Sequence, residues 1–243
     1  MDADASRLAA LRKLEMCLIF LKFLCLASRA PQLPKLQIYF FREPLPEVFM
    51  RLQKKPVGVV PLGEVPEIAL KVIAAHISGY YKLSVQILPP LGHPEYAFDK
   101  RRFQYDVGII LKAFESIKFK DHEKVIGVLN LDLFVPIFTY VFGEAKQGGK
   151  FALVSLFRLS KNSDGSPCPS SLIFERAAKV ALHELGHLFN LLHCREKNCL
   201  MHFSGGIQDL DNTPIYLCRY CSTYFNDHLI RLNLLGSEEG LCQ

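Results

Sequence analysis

The stretch HELGHLFNLLHC, residues His183 to Cys194, decides how the rest of the chain is read. On a helix, His183 and His187 lie four residues apart, one turn apart on one face. Two imidazoles so placed bind one zinc ion without distorting the backbone, and Glu184 projects beside them toward a zinc-bound water. Zinc lowers the pKa of such a water toward ~7, and a nearby carboxylate accepts its proton. His193 supplies the third protein ligand of an open catalytic site, but not along a continuing helix. At roughly 100° per residue it would lie about 240° around the axis from His187. The chain must therefore break near residue 190 and fold back, and a left-handed residue does this most cheaply. Glycine is best there and asparagine next, because its short polar side chain tolerates the conformation, so Asn190 preserves the turn.

The cysteines extend the pattern. Of eight, Cys194, Cys199, Cys218 and Cys221 crowd together as C-x4-C and then C-x2-C. A secreted disulfide scaffold would be shorter and more evenly spread, so the paired spacings favour a closed zinc site. The loop from Leu200 to Leu217 is too irregular to hold itself, and a tetrahedral thiolate site staples it. Cys194 directly follows His193, so this structural metal also fixes the third histidine. Cys17, Cys25, Cys168 and Cys242 have no partners at metal spacing and read as plain thiols. His76, His93, His122 and His228 read as surface or satisfied side chains, with His202 closer to the site.

Working outward, 243 residues, half of them hydrophobic and 22% charged, suit one good-sized globular domain with a small appendage. The net charge of +5 is scattered. Lys100-Arg101-Arg102 is the longest basic run, and only Arg195, Lys197 and Arg219 lie near the cysteines. That excludes a nucleic-acid-binding zinc ribbon. At the N-terminus, Arg7, Arg12 and Lys13 precede the apolar stretch Met16–Ser28 (MCLIFLKFLCLAS). It resembles a signal-peptide core, is too short for a spanning helix, and is interrupted by Lys22. Export, a start-site artefact and an extra amphipathic helix all remain open; a cytoplasmic, monomeric protein with no stable membrane span is the expectation.

Pro31 and Pro34 place the start of the folded domain near Lys35. Strands are expected at Leu36–Phe41, Leu83–Pro90 and Lys124–Asp132, with helices after Pro66 and over Tyr105–Lys118. This β-α-β-α-β order implies an α/β fold with a mostly parallel sheet packed on helices. Leu133–Ala145 is aromatic and β-branched but contains Pro136, which reduces it to a loop feeding an edge strand near Phe138–Phe142. A further strand follows in Lys150–Leu159. Ser170 or Ser171 can then cap a long helix running through the histidine motif. Cys221–Gly236 suggests a closing helix.

HELGHLFNLLHCREKNCLM followed by CRYC resembles the archaemetzincins, zinc metallopeptidases of the metzincin clan, whose motif runs H-E-x-x-H-x-x-G-x-x-H-C, then C-x-M, then C-x-x-C. Supporting likeness comes from Gly127–Ala145, Phe151–Leu159 and Met201–Asp211, so that it spans roughly residues 35–235. The resemblance implies a metzincin-like zincin with an antiparallel edge strand and a small zinc-stapled C-terminal subdomain. It implies two zinc ions: a catalytic one on His183, His187 and His193, with Glu184 as general base, and a structural one on Cys194, Cys199, Cys218 and Cys221. Met201 matches the methionine under the metal. Asn190 departs from the motif's glycine, and residues 1–34 form an extension the family core does not need. The domains expected are 35–193, with the sheet and active-site helix, and 194–243. A peptide or protein substrate would pair with the edge strand. A non-catalytic peptide-binding zinc module is the alternative; it would have no use for Glu184.

Overall fold

The computed structural model describes residues 55–238, with side chains through residue 231. The chain divides into Met1–Arg42 and Glu43–Gln243, and every described residue belongs to the second unit. The apolar stretch 16–28 and the strand expected at 36–41 lie outside the described residues.

Among the described residues the sheet begins at β1 (Val57–Pro61), a run of five buried residues. Continuous apolar character marks a strand buried on both faces, and it gives no alternation to read. Helix α1 (Glu67–Tyr81) follows directly after Pro66 and leads to β2 (Val85–Ile87). Beyond a short hairpin of β3 (Phe98–Asp99) and β4 (Gln104–Asp106), the chain forms α2 (Val107–Ser116). Asp106 caps α2 by accepting a hydrogen bond from the Ile109 amide. Strand β5 (Val125–Leu129) comes next, then β6 (Leu133–Phe134), β7 (Gly143–Ala145) and β8 (Phe151–Ser155). The long helix α3 (Ser170–Leu188) carries the first two histidines, and α4 (Ile207–Asn212) and α5 (Arg219–Glu238) close the chain.

The main sheet has the order β2-β1-β5-β8-β7. All its pairings are parallel except β7 with β8, which is antiparallel and forms one edge. Side chains alternate across the sheet, so Val57, Val59, Ile126, Val128 and Val154 pack on α1 and α3. Val60, Val125, Leu129 and Leu153 pack on Ile110 and Phe114 of α2 from the other face. The Tyr81 hydroxyl donates to the Leu182 carbonyl at 2.8 Å, tying α1 to α3. The architecture is therefore a mixed α/β fold with a mostly parallel sheet and one antiparallel edge strand. Among the described residues no helix is long and apolar enough to cross a membrane.

Two local expectations are corrected. The edge strand is Gly143–Ala145, not Phe138–Phe142. The carbonyls of Phe138 and Thr139 accept hydrogen bonds from the Arg102 guanidinium, and Gln104 also donates to Thr139. Those bonds hold the segment as an irregular wall before it can join the ladder. Ser170 and Ser171 do not cap α3; Pro169 occupies the capping position and Ser170 opens the helix.

Candidate active site and metal centres

Helix α3 presents His183 and His187 on one face, and the chain then turns sharply. Phe189 ends the helix, and Asn190 adopts a left-handed conformation with φ of 68°. The Leu191 amide donates to the Gly186 carbonyl and the Asn190 amide to the His187 carbonyl, both at 2.9 Å. These are the two bonds of a Schellman motif, with Asn190 at its left-handed position. Gln147 steadies the turn from outside, donating to the Leu191 carbonyl at 3.0 Å and to the Asn190 side chain at 3.3 Å. The fold-back brings His193 to the other two histidines, and one ring nitrogen from each of the three lies within 4.8 Å of the others.

Hydrogen bonds at the far side of the rings fix the tautomers. His183 Nδ1 donates to the Leu200 carbonyl at 2.8 Å, and His187 Nδ1 donates to the Leu191 carbonyl at 2.7 Å. Burial pulls His183 down to about 3, with the neighbouring His187 and His193 adding to the fall against the opposing Leu200 bond. Burial lowers His187 and His193 as well. Neutral rings with hydrogen on Nδ1 turn lone pairs inward at Nε2, and those two atoms are 3.1 Å apart. Two lone pairs so close repel unless a cation lies between them. Tetrahedral zinc with nitrogen ligands at 2.0–2.1 Å separates them by about 3.3 Å, so the donor set fits the ion.

Glu184 is buried on the same helix and faces the cleft. Burial pushes its carboxyl well above the usual range, and the charge of Glu144 adds to this. Its room depends on Gly143 in β7: a Cβ there would fall 2.7 Å from the Leu153 carbonyl oxygen and 2.8 Å from Glu184 Cγ. The cleft has a volume of about 450 Å³ and runs between β7 and the histidines. Phe138, Tyr140 and Phe203 form its aromatic wall, with Phe203 edge-on to His193. Arg158 stacks over Tyr140 and pairs with Asp132, which also accepts from Gln104.

Met201 is fully buried beneath α3. A Cβ on Gly186 would meet its Sδ at 2.6 Å, so the glycine inside the histidine motif admits the methionine against the helix backbone. The four cysteines gather beside this floor, with their sulfur atoms also within 4.8 Å of one another. Cys194 and Cys218 Sγ are 3.8 Å apart. A tetrahedron with 2.3 Å zinc–sulfur arms has edges of about 3.8 Å, so these thiols match a structural zinc site. Cys168 stands apart, near Arg176; Cys17, Cys25 and Cys242 lie outside the described residues.

His76, His122 and His93 each have an ordinary partner: the Val72 carbonyl, Gln86 and Glu95. His228 packs edge-on to Phe189. His202 donates from Nδ1 to the Cys194 carbonyl, which makes it a brace of the cysteine segment. Sequence reading did not find Gly143, Glu144, Gly186, Arg102 or the buried Arg176. Of these only Gly186 carried a local signal, its place between the two histidines.

Three comparisons bear on this arrangement. The family model for peptidase family M54 matches residues 68–227. The chain is 33% identical to the archaemetzincin of Methanocaldococcus jannaschii over 176 residues, covering 72% of this chain and 96% of that one. It is 37% identical to the archaemetzincin of Pyrococcus furiosus over 180 residues, covering 71% and 93%. Among solved structures it is similar to the archaemetzincin of Methanopyrus kandleri, with a TM-score of 0.64 at 29% identity over 72% of this chain and 96% of that one. For the archaemetzincin of Archaeoglobus fulgidus, solved in complex with malonate, the TM-score is 0.61 at 32% identity over 70% and 99%.

Proposed function

The chain belongs to peptidase family M54 and is a zinc metallopeptidase, and from that premise we propose that Glu184 is its general base and that it carries two zinc ions. His183, His187 and His193 hold the catalytic ion; Cys194, Cys199, Cys218 and Cys221 hold the structural one. The observation that carries this reading is the convergence of three imidazole nitrogens, two of them with their opposite nitrogens committed to backbone carbonyls. When bound there, zinc supplies Lewis acidity toward a water molecule and a peptide carbonyl.

The chain's own groups do the rest. The free edge of β7 offers backbone partners to an extended peptide laid along the cleft. Glu184, buried beside the histidines, takes the proton of the attacking water and returns it to the departing amine. Met201 keeps the floor apolar and the helix in place. Residues from Cys194 onward act as a small subdomain tied by the structural ion. Four thiols committed to metal suit a reducing compartment, and we place the protein in the cytoplasm.

The test is purified, zinc-loaded protein against a peptide library, compared with Glu184→Ala, with zinc counted per chain. Cleavage by the wild type alone is expected, with two zinc ions falling to one in His183→Ala. Equal turnover in both proteins would remove Glu184 from the mechanism. Cleavage by neither would point to the non-catalytic peptide-binding module. Less than one zinc per wild-type chain would undo both sites.

A further inference from the structure

The hairpin joining β7 to β8 closes on the turn that follows α3. The Gly148 amide donates to the His187 carbonyl at 2.9 Å. Gln147 Nε2 donates to the Leu191 carbonyl at 3.0 Å and to Asn190 Oδ1 at 3.3 Å. Both carbonyls already accept one bond: that of His187 from the Asn190 amide, and that of Leu191 from His187 Nδ1. A carbonyl oxygen has two lone pairs, so the hairpin takes the second one on each carbonyl that brackets the turn.

The alternation of the strand explains why this falls to Gln147. A Cβ on Gly143 would meet Val180 and Glu184 of α3, and Ala145 packs among the buried residues of that face. Glu144 pairs in register with Leu153, which packs on α2, and Lys146 reaches Glu115 of α2. Two residues past Ala145 the side chain is again on the α3 side, and Gln147 lines the same cleft as the three histidines. Gly143 and Ala145 have no polar side chain to offer there; Gln147 has. As a neutral donor with its nitrogen turned to those oxygens, it adds no charge to a site that holds a zinc ion.

The Leu191 carbonyl lies past the end of α3, and no backbone amide among the described residues donates to it. Its bonds are those from His187 and Gln147. A ring tied at Nδ1 to a carbonyl keeps Nε2 aimed only as well as that carbonyl is held. We propose that Gln147 is a positioning residue of the histidine site, which keeps the His187 ring at the angle zinc needs by fixing the carbonyl to which the ring is tied. The inference rests on the reading of the three histidines as the catalytic zinc site. Because the hairpin continues the strand that takes the peptide, the same bond ties that strand to a metal ligand.

The test uses the full chain with Gln147→Met, which keeps the length of the side chain and removes the donor, and Gln147→Ala as a second variant. Zinc affinity is measured by chelator competition, with the cysteine site as internal standard. The His187 Nδ1 proton is followed by NMR in zinc-loaded protein labelled at histidine, and peptide cleavage is resolved into kcat and KM. Loss of a neutral hydrogen bond predicts zinc held about twofold to tenfold less tightly at the histidine site, and faster exchange of the His187 proton by a similar factor. The kcat should fall with KM little changed, because Gln147 acts through the metal ligand rather than on the peptide. Unchanged zinc affinity and proton exchange in both variants, whatever their Tm, would overturn the proposal and leave the zinc peptidase reading intact. A raised KM with zinc affinity unchanged would make Gln147 a substrate contact and overturn it as well. Absence of zinc from the histidine site of the wild type would overturn both readings.

Discussion

Replacing Asn190 by valine isolates the turn that makes a three-histidine site. The backbone there has φ of 68°, and both Schellman bonds depend on that value. A left-handed residue with a Cβ costs roughly 1–2 kcal/mol, least for asparagine, and a β-branched side chain stands at or above the top of that range. Valine also loses the 3.3 Å contact from Gln147, which contributes well under ~1 kcal/mol at that length. The net change relative to asparagine is about 2 kcal/mol, or roughly thirtyfold in the equilibrium between closed and open turn. His193 is delivered only by the closed turn, so zinc affinity at the histidine site should fall, by up to about the same factor where the open turn becomes the major state. Competition against a chromophoric chelator measures this, with zinc at the cysteine site counted separately as an internal standard. Asn190→Gly should stay within about threefold of wild type, because relief of the left-handed cost is offset by the freedom glycine adds to the unfolded chain. Zinc bound by the valine variant as tightly as by wild type would refute the claim that this turn delivers the third ligand.

Other outcomes follow from the same geometry. Gly186→Ala places a methyl group 2.6 Å from Met201 Sδ in a fully buried spot, and overpacking of this kind costs about 1–3 kcal/mol. Its Tm should drop in calorimetry, and an unchanged Tm would show that Met201 moves aside freely. Burial lowers all three histidines from the ordinary 6.5, His183 to about 3, so protons compete with zinc only below those depressed values. The decline in affinity at the histidine site as pH falls should therefore be centred below 6.5. A steep decline centred at 6.5 in a chelator titration across pH would contradict the burial argument. Cys199→Ser should lose the structural zinc and also weaken the histidine site, because Leu200, the next residue, accepts the hydrogen bond from His183. Unchanged affinity at the histidine site would show the two centres to be independent.

What could be read from the sequence was local. The metal-ligand spacings lie within one helix turn or one short loop, and Asn190 had to be left-handed because His193 has no other route back. The parallel order of the sheet followed from helices and strands taking turns. Contacts between distant segments left no such trace. Arg102 holds the cleft wall through carbonyls 36 and 37 residues away, and nothing near Phe138 announces that. The wall therefore read as a strand. Helix α4 was hidden for a similar reason. It has six residues, too few to stand alone, and its support comes from α3. Arg176 pairs with Asp211 through two bonds of 2.6 and 2.7 Å, and Lys179 donates to the carbonyls of Leu210 and Asp211. An arginine and a lysine on a long helix read as solvated charges until their partners are in place.

Those contacts also tie the histidine cluster and the cysteine cluster together. Cys199, Leu200 and Met201 are consecutive, and each has a different duty. Cys199 joins the thiol cluster, Leu200 orients the His183 ring through its carbonyl, and Met201 fills the space under Gly186. Opposite them, His193 and Cys194 are adjacent, one in each cluster, and the Cys194 amide donates to the Met201 carbonyl at 2.7 Å. The two clusters are thus joined by backbone at both His193–Cys194 and Cys199–Met201, with a hydrogen bond closing the loop between. A closed tetrahedral thiolate site tolerates little displacement of its ligands. That rigidity would pass to His183 through the Leu200 carbonyl and to His193 through one peptide bond, which is how a short and otherwise irregular segment holds an open site in register.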